Sequence, residues 1–357
     1  MPDPAPDPYP LMLEPVVLEK VWGGRRLERL GKKLPSPTAK YGESWEVADM
    51  ASTSASGAGG GAIRSVIASG DLRARTLHDA VAAWGEKLLG SPPHIPLGPD
   101  APFPLLVKFL DAGENLSVQV HPSPAYASSH PGAFLKTECW YILDALPGAK
   151  IYKGIKPTVT REEFSRLARS GDQRLVDALI ARPAVPGECH NLPSGTVHAL
   201  GAGVLVAEVQ TPSDTTYRLY DWGRTGRELH IEQALECASF PGEPGYEPCI
   251  RGQTVVKLAE GQRSTRLVTT EFFVVDELRP QIGDIVAVGA GGPRKDAECV
   301  VLIVLDGDCQ LLCTDGAHAA TPVILERGDT AVVPALSEPS TMLVAGTNVR
   351  ALRVGLP

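Results

Sequence analysis

The chain has 357 residues, 43% of them hydrophobic and 21% charged, with a formal net charge of −8. That length carries two compact domains or one large two-lobed one, and the composition is that of an ordinary globular protein. The acidic balance, with no basic stripe to replace counterions, argues against a nucleic-acid surface.

From the N-terminus, MPDPAPDPYP reads as a loose, proline-rich extension without the apolar core of a signal peptide. From about Leu11 the text breaks into short strand-like pieces: LMLEPVVL, VWGG and GESWEVAD. Ala51–Gly61 (ASTSASGAGGG) is a small-residue loop that lacks P-loop spacing. Thr76–Leu89 predicts a helix, with Leu77, Val81, Trp84 and Leu88 on one face. PLLVKFL and LSVQVHP are strands joined at DAGEN, whose Asp, Gly and Asn suit a turn. TECWYIL and AKIYKGI follow as strands, and Thr160 to Glu163 is a capping-box pattern opening a helical stretch to about residue 182, split at Ser170-Gly171. GECHNLPSGTVHALGAGVLVAEVQ is strand, tight turn and strand.

The last hundred residues return to strands: FFVVDELR, CVVLIVLDGDCQLLC, PVILERGDTAVVP and VRALRV. A weak internal repeat links Gly187-x5-Pro193 to Gly328-x5-Pro334. Strands without a helix at each step favour antiparallel barrels over a βαβ sheet. The predicted fold is mainly β: two jelly-roll barrels with a helical insertion at about 75–90 and 160–182. The lobes are expected at 1–250 and 251–357, with the boundary in the region 240–262. The 36 Gly and 32 Pro, dispersed along the chain, suit many short strands and turns.

The seven cysteines (Cys139, Cys189, Cys237, Cys249, Cys299, Cys309 and Cys313) form no CxxC pair, so neither a disulfide framework nor a thiolate zinc knuckle is indicated. No apolar run approaches membrane-spanning length. A reducing cytoplasm and no membrane partner are the expectations.

Two local patterns carry chemistry. Gln119 and His121 stand at i and i+2 of one strand, so both project to one face, and Glu138 follows seventeen residues after His121. The second pattern is Gly187-x5-Pro193-Ser194-Gly195-Thr196-Val197-His198. Singly, each residue has a bland reading: a packed strand histidine, a solvated carboxylate, a strand cap. Together, two imidazoles, a carboxylate and an amide oxygen form a mixed N/O set suited to zinc or another borderline divalent ion. His78, His94, His130, His190, His230 and His318 have no such company and read as structural or exposed.

These patterns resemble the cupin superfamily, with Gln119 where a histidine is common. VWGG, GESWE, LLVKFLDAGENLSVQVHP, KTECWYIL, PSGTVHALGAG and EVQTPSDTTYRLYDWGR narrow the likeness. From about Leu11 to Phe240 the chain resembles the short bacterial branch of type I mannose-6-phosphate isomerases, and more loosely beyond. The resemblance implies an aldose–ketose isomerase, one Zn²⁺ per chain and a small sugar phosphate as partner. It places the metal ligands on Gln119, His121, Glu138 and His198. It places the family's essential arginine on Arg218, a proton-transfer carboxylate on Glu208 and a pocket lysine on Lys136, with Ser117, Lys136 and Arg218 as substrate contacts. The chain departs from the family at Glu188-Cys189-His190, where relatives usually read Asp, a variable residue and an aromatic or apolar one.

Moving the carbonyl between C1 and C2 takes a proton from C2 and returns it at C1, so a base must lie on one face of the enediol and positive charge must face its oxygens. Glu208, a metal-bound water and Lys136 all remain candidates for the base. Trp22, Trp45 and Trp140 read as core; Trp140 shares a strand face with Glu138 and can wall the pocket. The second lobe reads Ala335-Leu336-Ser337 after Pro334, with neither the turn glycine nor the histidine, and is expected to be structural support. The rivals are a non-catalytic, metal-containing cupin that binds a sugar phosphate, and a metal-dependent oxygenase.

Overall fold

The computed structural model describes residues 6–53, 60–91, 98, 100–243, 246, 253–254, 263–288, 298–313, 322–336 and 341–357. His94, His318, Cys249, Ser337, the middle of the Ala51–Gly61 loop and most of the 240–262 boundary region lie outside them. The described residues are mainly strands, arranged in sheets of nine, seven, five and two strands. No described helix is long and apolar enough to cross a membrane.

A seven-stranded sheet forms the centre. Its strands Tyr41–Val47, Leu106–Ala112, Val204–Gln210, Glu138–Ala145 and Glu188–Leu192 pair antiparallel in that order. Leu106–Ala112 and Val204–Gln210 are buried at every position because both faces of the sheet are covered. One face (Val107, Phe109, Tyr141, Ala207) packs on the nine-stranded sheet through Val275, Val301, Ile303 and Leu352. The other (Leu110, Ile142, Leu192, Val206) packs with Ile151 and Leu200 of the five-stranded sheet. That second sheet runs Leu179–Pro183, Lys150–Ile155, His198–Leu200, Val118–Val120, Tyr217–Tyr220. Its outer face is covered by the helices Arg161–Ser170 and Ile231–Cys237, through Phe164, Leu167 and Leu235 on Val118 and Val120.

The predicted helix at 76–89 is present as Leu77–Trp84 and Glu86–Leu89, broken at Gly85, with a full capping box between Thr76 and Asp79. The second helical stretch is shorter than its sequence suggested. The helix Arg161–Ser170 is capped by the Thr160 side chain and closed by Gly171 at φ +64, a left-handed conformation that favours glycine. A 3-10 turn covers Gln173–Ala178, but Leu179–Pro183 is an edge strand rather than helix. Edge pairing tolerates Pro183, which has no N–H to give to a ladder. Helices Pro124–Ser129 and Ile231–Cys237 were not predicted.

The nine-stranded sheet is built from the C-terminal strands Ser264–Thr269, Val274–Leu278, Thr341–Gly355, Val300–Cys313 and Thr330–Val333, yet Leu11–Glu14 completes it, Leu11 opposite Val332. PVILERGDTAVVP is two strands, Val323–Leu325 and Thr330–Val333, parted by a turn at Gly328. A Cβ on Gly328, whose φ is +92, would run into the Leu30 carbonyl. The Gly328 carbonyl accepts from Lys32 Nζ at 2.7 Å, and the same ammonium lies 2.7 Å from Glu46 on the Tyr41–Val47 strand. The echo of Gly187-x5-Pro193 thus ties the turn between Val323–Leu325 and Thr330–Val333 to the back of the central sheet. The five cysteines whose side chains are described, Cys139, Cys189, Cys237, Cys299 and Cys309, are buried and free.

Candidate active site

The inner faces of the seven- and five-stranded sheets enclose a chamber, and strand register brings the predicted residues into it. Across the five-stranded sheet, His198 stands opposite Gln119, and Gln119 opposite Arg218. His121 follows one residue after the strand Val118–Val120 and keeps the face of Gln119. Across the seven-stranded sheet a row runs in register through Trp45, Lys108, Glu208, Trp140 and His190. Glu138 lies two residues before Trp140 on the same face.

His121, Glu138 and His198 converge, with one donor atom from each inside a 4.8 Å group, all three buried. The Nε2 atoms of both histidines lie 3.3 Å from Glu138, one at each carboxylate oxygen. The Nδ1 atoms face carbonyl oxygens, Thr215 at 3.0 Å for His121 and Thr196 at 2.8 Å for His198. A carbonyl can only accept, so Nδ1 carries the proton and each Nε2 presents a lone pair to the carboxylate. Burial, and next the Lys136 charge, depress the His121 pKa to about 3, and burial lowers that of His198 as well, so both rings are neutral at neutral pH. Burial works against the ionised form of Glu138, but above all the Lys136 ammonium outweighs it and holds its pKa well below the usual carboxylate range.

Lone pairs therefore face lone pairs. Neither Glu138 oxygen nor His121 Nε2 has a hydrogen-bond partner, and Lys136 Nζ, 2.9 Å from Glu138 Oε2, flanks the carboxylate. Converging buried acceptors that outnumber the donors at their edge are destabilising, and a divalent cation among them removes the deficit. Two imidazoles and one carboxylate, with an open fourth position, are a donor set that suits zinc. Gln119 borders the group through its amide nitrogen, 3.3 Å from His198 Nε2, while its oxygen accepts from the Ser117 hydroxyl at 3.1 Å. A half-turn of the amide gives the oxygen the outlook a ligand needs. In a Glu138→Gln protein, a neutral amide oxygen replaces the carboxylate, and metal affinity should fall by about tenfold or more. Metal content after dialysis measures this, and full retention would remove Glu138 from the ligand set.

A cavity of about 500 Å³ opens beside the group, lined by Gln119, Ser117, Lys136, Glu208, Arg218 and Trp140 among others. Glu208 is buried. Its Oε2 accepts from Trp140 Nε1 at 2.8 Å, and Lys108 Nζ stands 3.5 Å from Oε1. Burial and then Glu138 raise its pKa, against the opposing pull of Lys136 and Lys108. Lys136 is buried too; desolvation disfavours its charge, but Glu138 and Glu208 outweigh that and raise its pKa. Arg218 donates to the Glu228 carbonyl at 2.6 Å and leaves Nε without a partner. Burial, then the neighbouring Arg227, lower its pKa.

The chamber also holds residues that sequence reading did not assign to the site. Lys108 lies over the Trp45 ring, 4.7 Å from its centroid, and Trp45 Nε1 donates to Glu43 at 2.6 Å. All three line the cavity, as do Arg227 and Trp22. The signal for Lys108 was a lone charge inside the apolar run LLVKFL. Trp22, Trp45 and Trp140 are buried as expected of core residues while presenting an edge to the cavity.

Residues 11–137 match the model of the family described as phosphomannose isomerase type I, catalytic domain. Over 334 residues, 91% of this chain and 93% of the relative, the sequence is 33% identical to the mannose-6-phosphate isomerase ManA of Bacillus subtilis. The chain belongs to the type I phosphomannose isomerase family. The probable mannose-6-phosphate isomerase GmuF of the same organism is 42% identical over 242 residues, 65% of this chain and 69% of that one. The fold is similar to the crystal structure of the Bacillus subtilis mannose 6-phosphate isomerase, with a TM-score of 0.78 at 30% identity, covering 98% of this chain and 100% of that one.

Proposed function

We propose that this chain interconverts mannose 6-phosphate and fructose 6-phosphate, using one zinc ion per chain held by His121, Glu138, His198 and Gln119. The observation that carries this reading is the buried convergence of His121 Nε2, His198 Nε2 and both Glu138 oxygens, with only Lys136 and the Gln119 amide at its edge, set beside a cavity that presents Lys136, Glu208 and Arg218. A bound divalent ion supplies Lewis-acid charge to the oxygens of the open-chain sugar.

The chain's own residues do the rest. Glu208 is the proton carrier between C2 and C1: its carboxyl is buried, raised in pKa and oriented by the Trp140 N–H, which suits a base working near neutrality. Lys136 supplies a fixed ammonium beside the same group. Arg218 offers an unpaired N–H to an oxyanion, and Ser117 a hydroxyl at the cavity wall. The apolar sides of Trp22, Leu110 and Leu116 exclude water from the enediol. We read the seven- and five-stranded sheets as one jelly-roll barrel of a catalytic lobe within residues 1–250. The nine-stranded sheet is then a degenerate barrel of the lobe 251–357, with Leu11–Glu14 crossing into it. The free cysteines among the described residues support a cytoplasmic location, and the acidic net charge of −8 a protein without a nucleic-acid partner.

A coupled assay supplying mannose 6-phosphate and reading fructose 6-phosphate tests the activity; a protein that binds the sugar phosphate without turnover would reject it in favour of a binding module. The Glu208 assignment has its own test. Trp140→Phe removes a hydrogen bond that favours the carboxylate, so the Glu208 pKa rises and the acid limb of the kcat/KM profile should move up by about one pH unit. An unmoved limb assigns the base elsewhere.

A further inference from the structure

The row that crosses the central sheet continues one strand past Trp140, out of the cavity lining, to His190. His190 is 1% exposed, and neither ring nitrogen has a hydrogen-bond partner. From the opposite sheet, Lys153 stands in register with His198 and shares a face with Ile151, which belongs to the core between the two sheets. Lys153 is 3% exposed and forms no ion pair among the described residues. On the adjoining edge strand Arg182 lies directly opposite Ile151, so it shares that face, and its Nε is buried without a partner. Glu188 forms the rim: it shares the His190 face, with a carboxylate oxygen 3.1 Å from His190 Nε2 and a side chain 21% exposed.

This end of the chamber holds two basic side chains and an imidazole against one carboxylate. A buried ammonium without a counter-ion and the buried Arg182 Nε–H without an acceptor are both destabilising, and the remedy common to them is an anion. Burial, then Lys153 and Arg182, lower the His190 pKa to about 4, so the ring is neutral and its one N–H faces the Glu188 carboxylate through Nε2. We propose that Lys153 and Arg182, beside His190, form a second anion site, separated from the substrate cavity by Trp140, that takes one small inorganic oxyanion such as phosphate. Trp140 and His198 pack edge to face at 5.3 Å and close the inner side, while only the partly exposed Arg182 and Glu188 reach the rim. The closed inner side and the charged rim favour a free oxyanion over a sugar ester as the occupant.

The test is calorimetric titration of inorganic phosphate into the metal-loaded protein, with and without saturating glucitol 6-phosphate, a sugar phosphate with no carbonyl to isomerise. One phosphate per chain should still bind when the sugar phosphate is present. Its affinity should fall at least tenfold in Lys153→Met and in Arg182→Gln, with turnover of Arg182→Gln within twofold of the parent. Arg182→Gln changes a partly exposed edge-strand residue, so it keeps the test open if Lys153→Met fails to fold. No phosphate bound beside saturating sugar phosphate, or unchanged affinity in Arg182→Gln, overturns the site. A second equivalent of glucitol 6-phosphate that disappears in Arg182→Gln also overturns it, because the occupant would then be an ester. If glucitol 6-phosphate does not bind at all, the isomerase reading fails, and the loss of phosphate in the variants still decides this site.

Discussion

His121→Ala and His198→Ala should each lower turnover to below about one thousandth of the parent rate and strip the metal at the same time. Each ring gives a neutral Nε2 whose tautomer is fixed by a backbone carbonyl on the other nitrogen, so no neighbouring side chain can replace it. Removing one ring leaves Glu138 with one imidazole and Lys136. With only the weak Gln119 amide as a further donor, the ammonium competes with a divalent ion, so metal should be lost rather than merely loosened. Elemental analysis of the dialysed variants checks this, beside melting curves that show the fold retained. Unchanged zinc in both variants would remove these histidines from the ligand set.

Arg218 should separate catalysis from metal binding. It lies two strands from His198, roughly 10 Å by ordinary strand spacing, and makes no contact with the triad. Arg218→Ala should lower kcat by about 10²–10³, the cost of losing a charge-assisted contact that strengthens in the transition state. Arg218→Lys keeps the charge but not the planar fork, and should fall between the parent and the alanine variant. Zinc content should not change in either. A raised KM with near-normal kcat in Arg218→Ala would assign this residue to ground-state phosphate binding instead.

Much of the site could be read before the fold. The period of two placed Gln119 and His121 on one face, and the Pro-x-Gly turn placed His198 at a strand start; both hold in the structure. Glu208 could not be placed from VLVAEVQ, because a strand covered on both faces shows no alternation. It is buried because Leu106–Ala112 and Glu138–Ala145 flank it, and those pairings span about 100 and about 70 residues of chain. Trp45 and Glu43 have ordinary local settings, and although Lys108 is a lone charge in an apolar run, only non-local register gathers the three. The placement of Leu11–Glu14 in the C-terminal sheet is likewise a pairing choice that no local pattern encodes. At Leu179–Pro183 a helical-looking run lost to edge pairing with Lys150–Ile155, since tertiary contacts outweigh weak helix propensity. His190 had been read as structural or exposed; it is buried, with a carboxylate within reach and no hydrogen bond made.

The central claim, an isomerase whose activity depends on one metal held by His121, Glu138 and His198, is tested most directly by titrating zinc into chelator-treated protein. Fructose 6-phosphate formation from mannose 6-phosphate should be absent at the start, rise in proportion to added zinc and level off at one equivalent per chain. Full turnover by the metal-free protein, or no product at any zinc level from a folded chain, would contradict the account.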